Sequence, residues 1–154
     1  MAAAPNDVGF FLPLVVAFAI TLVTIIFHAL AFIVTIHYVL RKKKLGQAGT
    51  SFSRDAGIVA VATLIMLLAH LVEIAVWAVV FVVLGEFSTF AASFLHSAVY
   101  YTSLGLDGVF MSPGWMALAP LETADGMLMF GLTTAMLFAI AHRLLYARLL
   151  EVKS

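Results

Sequence analysis

The chain has 154 residues, of which 64% are hydrophobic and only 10% are charged, and its formal net charge at pH 7 is zero. Soluble domains average about 45–50% apolar and about 25% charged residues, so this composition excludes an ordinary soluble domain and indicates a polytopic membrane protein. Because the sequence has no cysteine, disulfides, thiolate metal sites and cysteine nucleophiles are excluded.

The apolar runs predict an all-α membrane protein with three transmembrane helices. Residues 8–40 contain no Asp, Glu, Lys or Arg, and a spanning helix needs roughly 20 such residues. A short polar link follows, and residues 56–85 form a second crossing whose one acid is Glu73. Residues 116–145 are expected to form the third.

The segment between the second and third crossings is the most unusual part of the chain. Residues 88–101 are compatible with a helix, but a helix of that length reaches only ~21 Å, which is too short to span a bilayer. We therefore predict a re-entrant helix that dips in from the outer face. Irregular backbone beyond it, at 102–108, is tolerated at membrane depth only if it is buried in protein or lines a watery path.

The basic residues give the chain a predicted orientation. All eight fall in two places, one after the first apolar run and one at the C-terminal end: Arg41, Lys42, Lys43, Lys44 and Arg54, then Arg143, Arg148 and Lys153. Basic residues that flank transmembrane segments mark the cytoplasmic side. We expect the N-terminus outside, the C-terminus in the cytoplasm, and the acids Glu86, Glu122 and Asp125 at an outer mouth that attracts cations.

Several local strings follow one another in the order of a channel pore. They are His70-Leu-Val-Glu73 with Trp77, Tyr101-Thr102-Ser103-Leu104-Gly105, Trp115, Glu122-x-x-x-Gly126, and Phe130-Gly131-Leu-Thr133-Thr134-Ala135. Residues 58–148, which contain them, resemble the pore module of the bacterial potassium-channel-like (two-helix ion channel) family. The resemblance implies a homotetramer in a bacterial inner (plasma) membrane, in which four re-entrant helices and four filter loops surround one axial pore.

The same resemblance divides the chain into two regions. Residues 1–55 would form an extra N-terminal transmembrane helix and a cytoplasmic loop. Residues 56–154 would form the pore module, with a pore helix at 88–101, a filter-like loop at 102–108 and an inner helix at 116–145. On the inner helix, Glu122, Gly126 and Gly131 are candidates for structural or gating roles, because glycines allow close helix packing.

The filter-like loop departs from the potassium-channel pattern. A filter of this kind replaces the hydration shell of an ion with backbone carbonyls, and it needs glycines where the backbone is left-handed. The predicted ion-conducting residues are Thr102, Ser103, Leu104, Gly105, Leu106, Asp107 and Gly108. Leu106 stands where the family has tyrosine, and either Asp107 or Gly108 takes the place of the second glycine. Four copies of Asp107 would form an acidic ring, which is itself a cation-selecting device.

Ionisable residues inside membrane helices are functional candidates by default. His70 and Glu73 are three residues apart and share a helix face, and His28 lies at a similar predicted depth. These three residues have the ligand types of a Zn or Cu site. The alternative is a hydrogen-bond network in which His70 and Glu73 hold the second helix to the re-entrant helix through Ser93, His96 or Ser97.

The sequence thus predicts a cation channel or channel-like protein with an atypical filter. Its partners would be the lipid bilayer, further copies of itself, and monovalent or divalent cations in the pore. Faithful potassium selectivity is not expected. The alternatives are a non-conducting protein that binds or senses a metal ion, and an outer loop that packs on the helices with no pore. No hydrolytic triad, phosphate loop or nucleic-acid patch is present, so neither an enzyme nor a nucleic-acid partner is predicted.

Overall fold

The described part of the chain is built from four helices. The computed structural model describes residues 9, 11–105 and 111–151. The helices are α1 (Phe11–Lys44), α2 (Phe52–Val83), α3 (Phe90–Tyr101) and α4 (Leu118–Glu151), and these residues contain no strand. The prediction of an all-helical chain is confirmed.

Three of the four helices are long and apolar enough to cross a membrane. They are α1, α2 and α4, whose spanning candidates have 34, 32 and 32 residues. Helix α3 has 12 residues and is about 18 Å long at 1.5 Å per residue, which is less than the hydrocarbon thickness of a bilayer. The chain is therefore a multi-pass membrane protein with three candidate spans and one short helix.

The ends of the helices follow local capping chemistry. Helix α3 begins at Phe90, because Thr89 is its N-cap and accepts a hydrogen bond from the N–H of Ala92 at 3.3 Å. Helix α2 begins at Phe52, so that Asp55 lies in its first turn, where a carboxylate is favoured by the helix dipole. Helix α4 starts at Leu118 and continues to Glu151, beyond the predicted end at 145.

The chain divides into two compact units, each with its own apolar core. Unit 1 comprises Met1–Ile26 and Val72–Met129, and unit 2 comprises Phe27–Leu71 and Phe130–Ser154. The buried core of unit 1 includes Trp77, Phe81, Tyr101, Leu118 and Met129. The buried core of unit 2 consists of Ile58, Ala62, Ile140 and Leu144. The predicted division of the chain at residue 55 stays a prediction.

In unit 2, an ion pair joins the start of α2 to the end of α4. The guanidinium of Arg148 donates to the carboxylate of Asp55, and the N–H of Gly49 donates to the same carboxylate at 2.8 Å. Asp55 is buried, at 5% exposure. The first turn of α2 and the last turn of α4 therefore lie side by side, which agrees with an odd number of crossings between them.

Candidate functional site: the C-terminal end of helix α3

Helix α3 ends in a left-handed turn that contains the first filter-like residues. The N–H of Leu104 donates to the carbonyl of Val99 at 2.9 Å, and the N–H of Ser103 donates to that of Tyr100 at 2.9 Å. This pair of bonds is a Schellman motif, with Ser103 at the position that normally takes glycine. Ser103 has φ 57° and Gly105 has φ 61°, so left-handed residues alternate with Leu104 between them.

The remaining filter-like residues divide into two groups. Thr102 is the C-cap of α3, and its hydroxyl donates to the carbonyl of Ala98 at 2.6 Å. Thr102, Ser103 and Leu104 are exposed in the single chain. Leu106, Asp107 and Gly108 lie outside the described residues.

A stripe of three hydroxyl groups fastens α3 to α2. Ser93, Ser97 and Tyr101 are spaced four residues apart, so they share one face of α3. The hydroxyl of Ser93 donates to the carbonyl of Ala78 at 2.7 Å, and the hydroxyl of Ser97 lies 2.9 Å from the carbonyl of Ile74. The hydroxyl of Tyr101 donates to the carboxylate of Glu73. All three residues of the stripe are buried, and the stripe holds α3 along its whole length.

Helix α4 holds the other side of the end of α3. The hydroxyl of Thr123 donates to the carbonyl of Tyr100 at 2.8 Å, and the carboxylate of Glu122 bonds with the hydroxyl of Ser97. A Cβ atom at Gly126 would lie 2.0 Å from the carbonyl oxygen of Tyr101. The backbones of α3 and α4 thus meet at a point where only glycine fits.

The predicted outer acidic mouth is not what the structure has at two of its three acids. Glu122 is fully buried and Asp125 is 2% exposed. The carboxylate of Asp125 accepts a bond from the indole N–H of Trp77 at 2.9 Å and another from the hydroxyl of Thr24 at 2.9 Å. Because a buried carboxylate needs donors, these acids are parts of the packing of unit 1.

The third acid, Glu86, orders the loop after the site. Its two carboxylate oxygens accept bonds from the N–H and the hydroxyl of Ser112, at 2.7 and 2.6 Å. Both partners are exposed. This double bond ties the segment that precedes α4 to the end of α2.

Two of the three predicted metal ligands come together in unit 2. The rings of His28 and His70 have centroids 5.3 Å apart. The Nε2 atoms of His70 and His28 lie 3.0 and 3.3 Å from the hydroxyl oxygen of Thr133. His70 also stacks on Phe130, with centroids 4.3 Å apart. One hydroxyl can donate to one imidazole and accept from the other, so Thr133 links the pair.

Glu73, the third predicted ligand, follows His70 by three residues on the uninterrupted helix α2 and belongs to unit 1. There it is fully buried and is the acceptor for Tyr101. The predicted tie between the second helix and the short helix is present, with Tyr101 as the partner of Glu73. Ser93 and Ser97 contribute through backbone carbonyls of α2.

His96, the remaining candidate for that tie, lies among aromatic rings. Its ring centroid is 5.6 Å from that of Phe81, 4.7 Å from that of Phe87 and 4.6 Å from that of Tyr100. It is 2% exposed. Its visible surroundings are therefore aromatic.

The inner-helix candidates behave differently from one another. Glu122 bonds to α3, and Gly126 permits the contact with Tyr101. A Cβ atom at Gly131 would meet no described atom within 4 Å, so Gly131 serves no close packing within the chain.

Sequence reasoning missed Tyr101, Thr123, Asp125 and Thr133 as linking residues. A usable signal existed for Asp125, since an acid three residues after Glu122 shares its helix face. No comparable pattern distinguished Thr133 from Thr134 beside it.

Comparison with known proteins places no relative beside this geometry. No protein-family model matches the chain, and neither a curated protein nor a solved structure matches it.

Proposed function

We propose that the chain is the subunit of a cation channel, or of a channel-like membrane protein, in which α3 is a re-entrant pore helix and residues 102–108 form an atypical filter. The observation that carries this proposal is the anchoring of α3. A helix of 12 residues is fixed to α2 by a buried hydroxyl stripe and to α4 by Thr123 and Gly126. Such anchoring suits a helix that must present its C-terminal loop at one position.

The chemistry of the loop supports a cation path. The negative end of the dipole of α3 points toward Thr102 and favours a cation near the helix end. Carbonyl groups near residues 103–105 and the carboxylate of Asp107 are the ligand types that cation filters use. Leu106 replaces the tyrosine of the potassium-channel pattern, which argues against faithful potassium selectivity.

The proposed assembly is a homotetramer around the filter loops. Leu104 is 75% exposed in the single chain, although it adjoins the tightly held end of α3. An exposed leucine beside a fixed turn is consistent with a surface that other copies cover. The end that carries Arg41–Lys44 and Arg148 is assigned to the cytoplasm of a bacterial inner membrane, because basic flanks face inward.

Ion flux in proteoliposomes tests the proposal. We expect flux of monovalent or divalent cations from reconstituted protein and a lower cation-to-anion permeability ratio after Asp107→Asn. Asp7→Asn makes the same change in charge outside the loop and should leave the ratio unchanged. If no cation passes, and Leu106→Tyr with Asp107→Gly does not restore flux, the pore proposal is wrong.

The pairing of His28 and His70 favours a second candidate, a non-conducting protein that binds or senses a metal ion. In it, two imidazoles and the carboxylate of Glu73 would be the ligands of Zn or Cu. Elemental analysis of the purified protein decides this candidate. Stoichiometric metal that is lost in both His28→Ala and His70→Ala would support it. Metal-free protein, or metal content unchanged by both substitutions, would contradict it.

A further inference from the structure

A groove lies between the C-terminal parts of α1 and α4 in unit 2. Its volume is about 350 Å³. Apart from Lys43 and Arg143, every residue that lines it is apolar, among them Ile36, Val39, Met136 and Ala139. The groove therefore has an apolar wall and two cationic side chains.

The two cations lie at one end of the groove. Lys43 follows Ile36 by seven residues on α1, and Arg143 follows Met136 by seven residues on α4. At 1.5 Å per residue, about 10 Å of apolar wall extends from the cations toward the middle of each helix. Lys43 is in the last turn of α1, so the charged end is the end that emerges from the membrane.

Nothing in the described residues neutralises these two charges. Lys43 and Arg143 are exposed, and neither has an ion pair or a side-chain hydrogen bond within the described ranges. Their basic neighbours differ: Arg148 pairs with Asp55, and Lys42 donates to Gln47 at 3.0 Å. The groove thus pairs an apolar wall with unmatched positive charge at its mouth.

We propose that this groove binds one phospholipid with an anionic headgroup. The phosphate group lies near Lys43 and Arg143, and an acyl chain lies against Ile36 and Met136. Basic pockets between transmembrane helices are suited to anionic headgroups, and the apolar wall excludes a purely soluble anion as the main ligand. The proposal does not depend on ion conduction.

Lipid binding by the whole chain, delipidated in a neutral detergent, tests the proposal by native mass spectrometry. Phosphatidylglycerol and phosphatidylcholine with the same acyl chains are the probes. We expect one phosphatidylglycerol per chain to bind more tightly than phosphatidylcholine. In the double variant Lys43→Gln/Arg143→Gln, this preference should fall by about 20-fold, from about fivefold for each cation.

The control is Arg41→Gln/Lys44→Gln, which removes the same charge from the same end of α1 without touching the groove wall. Its preference for phosphatidylglycerol should stay within about twofold of the wild type, since single exposed charges at the surface contribute little specificity. Equal losses in the two double variants would mean general attraction to a basic surface and would overturn the proposal.

A second variant keeps both charges and fills the groove. Ala139 is an exposed lining residue, and Ala139→Phe should reduce binding of phosphatidylglycerol at least as much as the charge variant. This arm decides the question if the charge variant does not fold. Displacement of the lipid by millimolar inorganic phosphate, or unchanged binding in Ala139→Phe, would contradict an acyl chain in the groove. A lipid-free dimer that Ala139→Phe disrupts would identify a second copy of the chain as the occupant and overturn the proposal.

Discussion

The carbonyl oxygen of Tyr101 lies so close to Gly126 that a Cβ atom on residue 126 would be 2.0 Å from it. Backbone atoms cannot yield as the end of a long side chain can, so α3 and α4 would have to separate before any other residue fits. The contact sets the position of Thr102, the residue that follows Tyr101. The position of the candidate site therefore depends on a glycine in another helix.

Gly126→Ala should lower the free energy of unfolding by about 2 kcal/mol or more, because overpacking of a close contact typically costs 1–3 kcal/mol. Thermal unfolding of the detergent-solubilised protein, followed by circular dichroism, measures the change. Gly131→Ala is the matched control, since its Cβ meets no described atom within 4 Å and alanine is the better helix former. Equal melting temperatures for the two variants would contradict the close contact.

Tyr101→Phe removes the bond from Tyr101 to Glu73 and leaves a buried carboxylate without that donor. We expect a loss of about 1 kcal/mol, since bonds between helices in membrane proteins contribute about 0.6 and at most about 1.7 kcal/mol. The neighbouring substitution Tyr100→Phe is the control, because Tyr100 is linked to α4 through its backbone carbonyl. The two variants are compared by thermal unfolding. A larger effect of Tyr100→Phe would mean that the phenol of Tyr101 does not hold α3.

Thr133→Val should destabilise unit 2 by about 1 kcal/mol or more, because it removes the hydroxyl shared by the buried His28 and His70. Thr134→Val is the control on the next residue, where the hydroxyl bonds only to the carbonyl of Phe130 in its own helix. Hydrogen exchange of α2 and α4 amides, resolved by mass spectrometry, reports the effect locally. Faster exchange in Thr134→Val than in Thr133→Val would refute the linking role.

Arg148→Gln should lower stability by about 1–3 kcal/mol, because it leaves the buried carboxylate of Asp55 with one fewer donor. Asp55→Asn in the same background should cost little more, since the charge that needed the guanidinium is then gone. A double-mutant cycle in chemical unfolding measures this coupling. Arg41→Gln, an exposed charge on α1, should change stability by less than about 0.5 kcal/mol. Additive losses for the pair would show that the two groups do not interact.

Ser103→Gly should stabilise the protein by about 1 kcal/mol, because Ser103 has φ 57° and glycine adopts that conformation without the penalty of a Cβ atom. Ser103→Ala keeps the Cβ atom and removes only the hydroxyl, so it should have no such effect. Melting temperatures of the two variants are compared under one condition. Equal stabilisation by alanine would mean that loss of the hydroxyl, not relief of the backbone, is responsible.

Several features of the fold could be predicted before the structure because they depend on local sequence. Long runs without charged residues mark the spans, and the break at Ser88 and Thr89 marks the start of α3. The basic group at Arg41–Lys44 marks the end of α1. The identity of the buried partners could not be predicted, since Glu122 and Asp125 adjoin a polar loop and looked like surface acids. Their burial depends on donors supplied by Ser97, Trp77 and Thr24, which are distant in sequence.

The sequence by itself determined the solvent in which the chain folds, the number of spans and the shortness of α3. These properties follow from hydrophobicity and length, which are sums over neighbouring residues. Only the tertiary structure decided that Tyr101 bonds to Glu73, that Gly126 and not Gly131 makes the close contact, and that Thr133 joins two histidines. Each of these depends on which face of one helix meets another, because a hydrogen bond or a backbone contact forms only within a few ångströms.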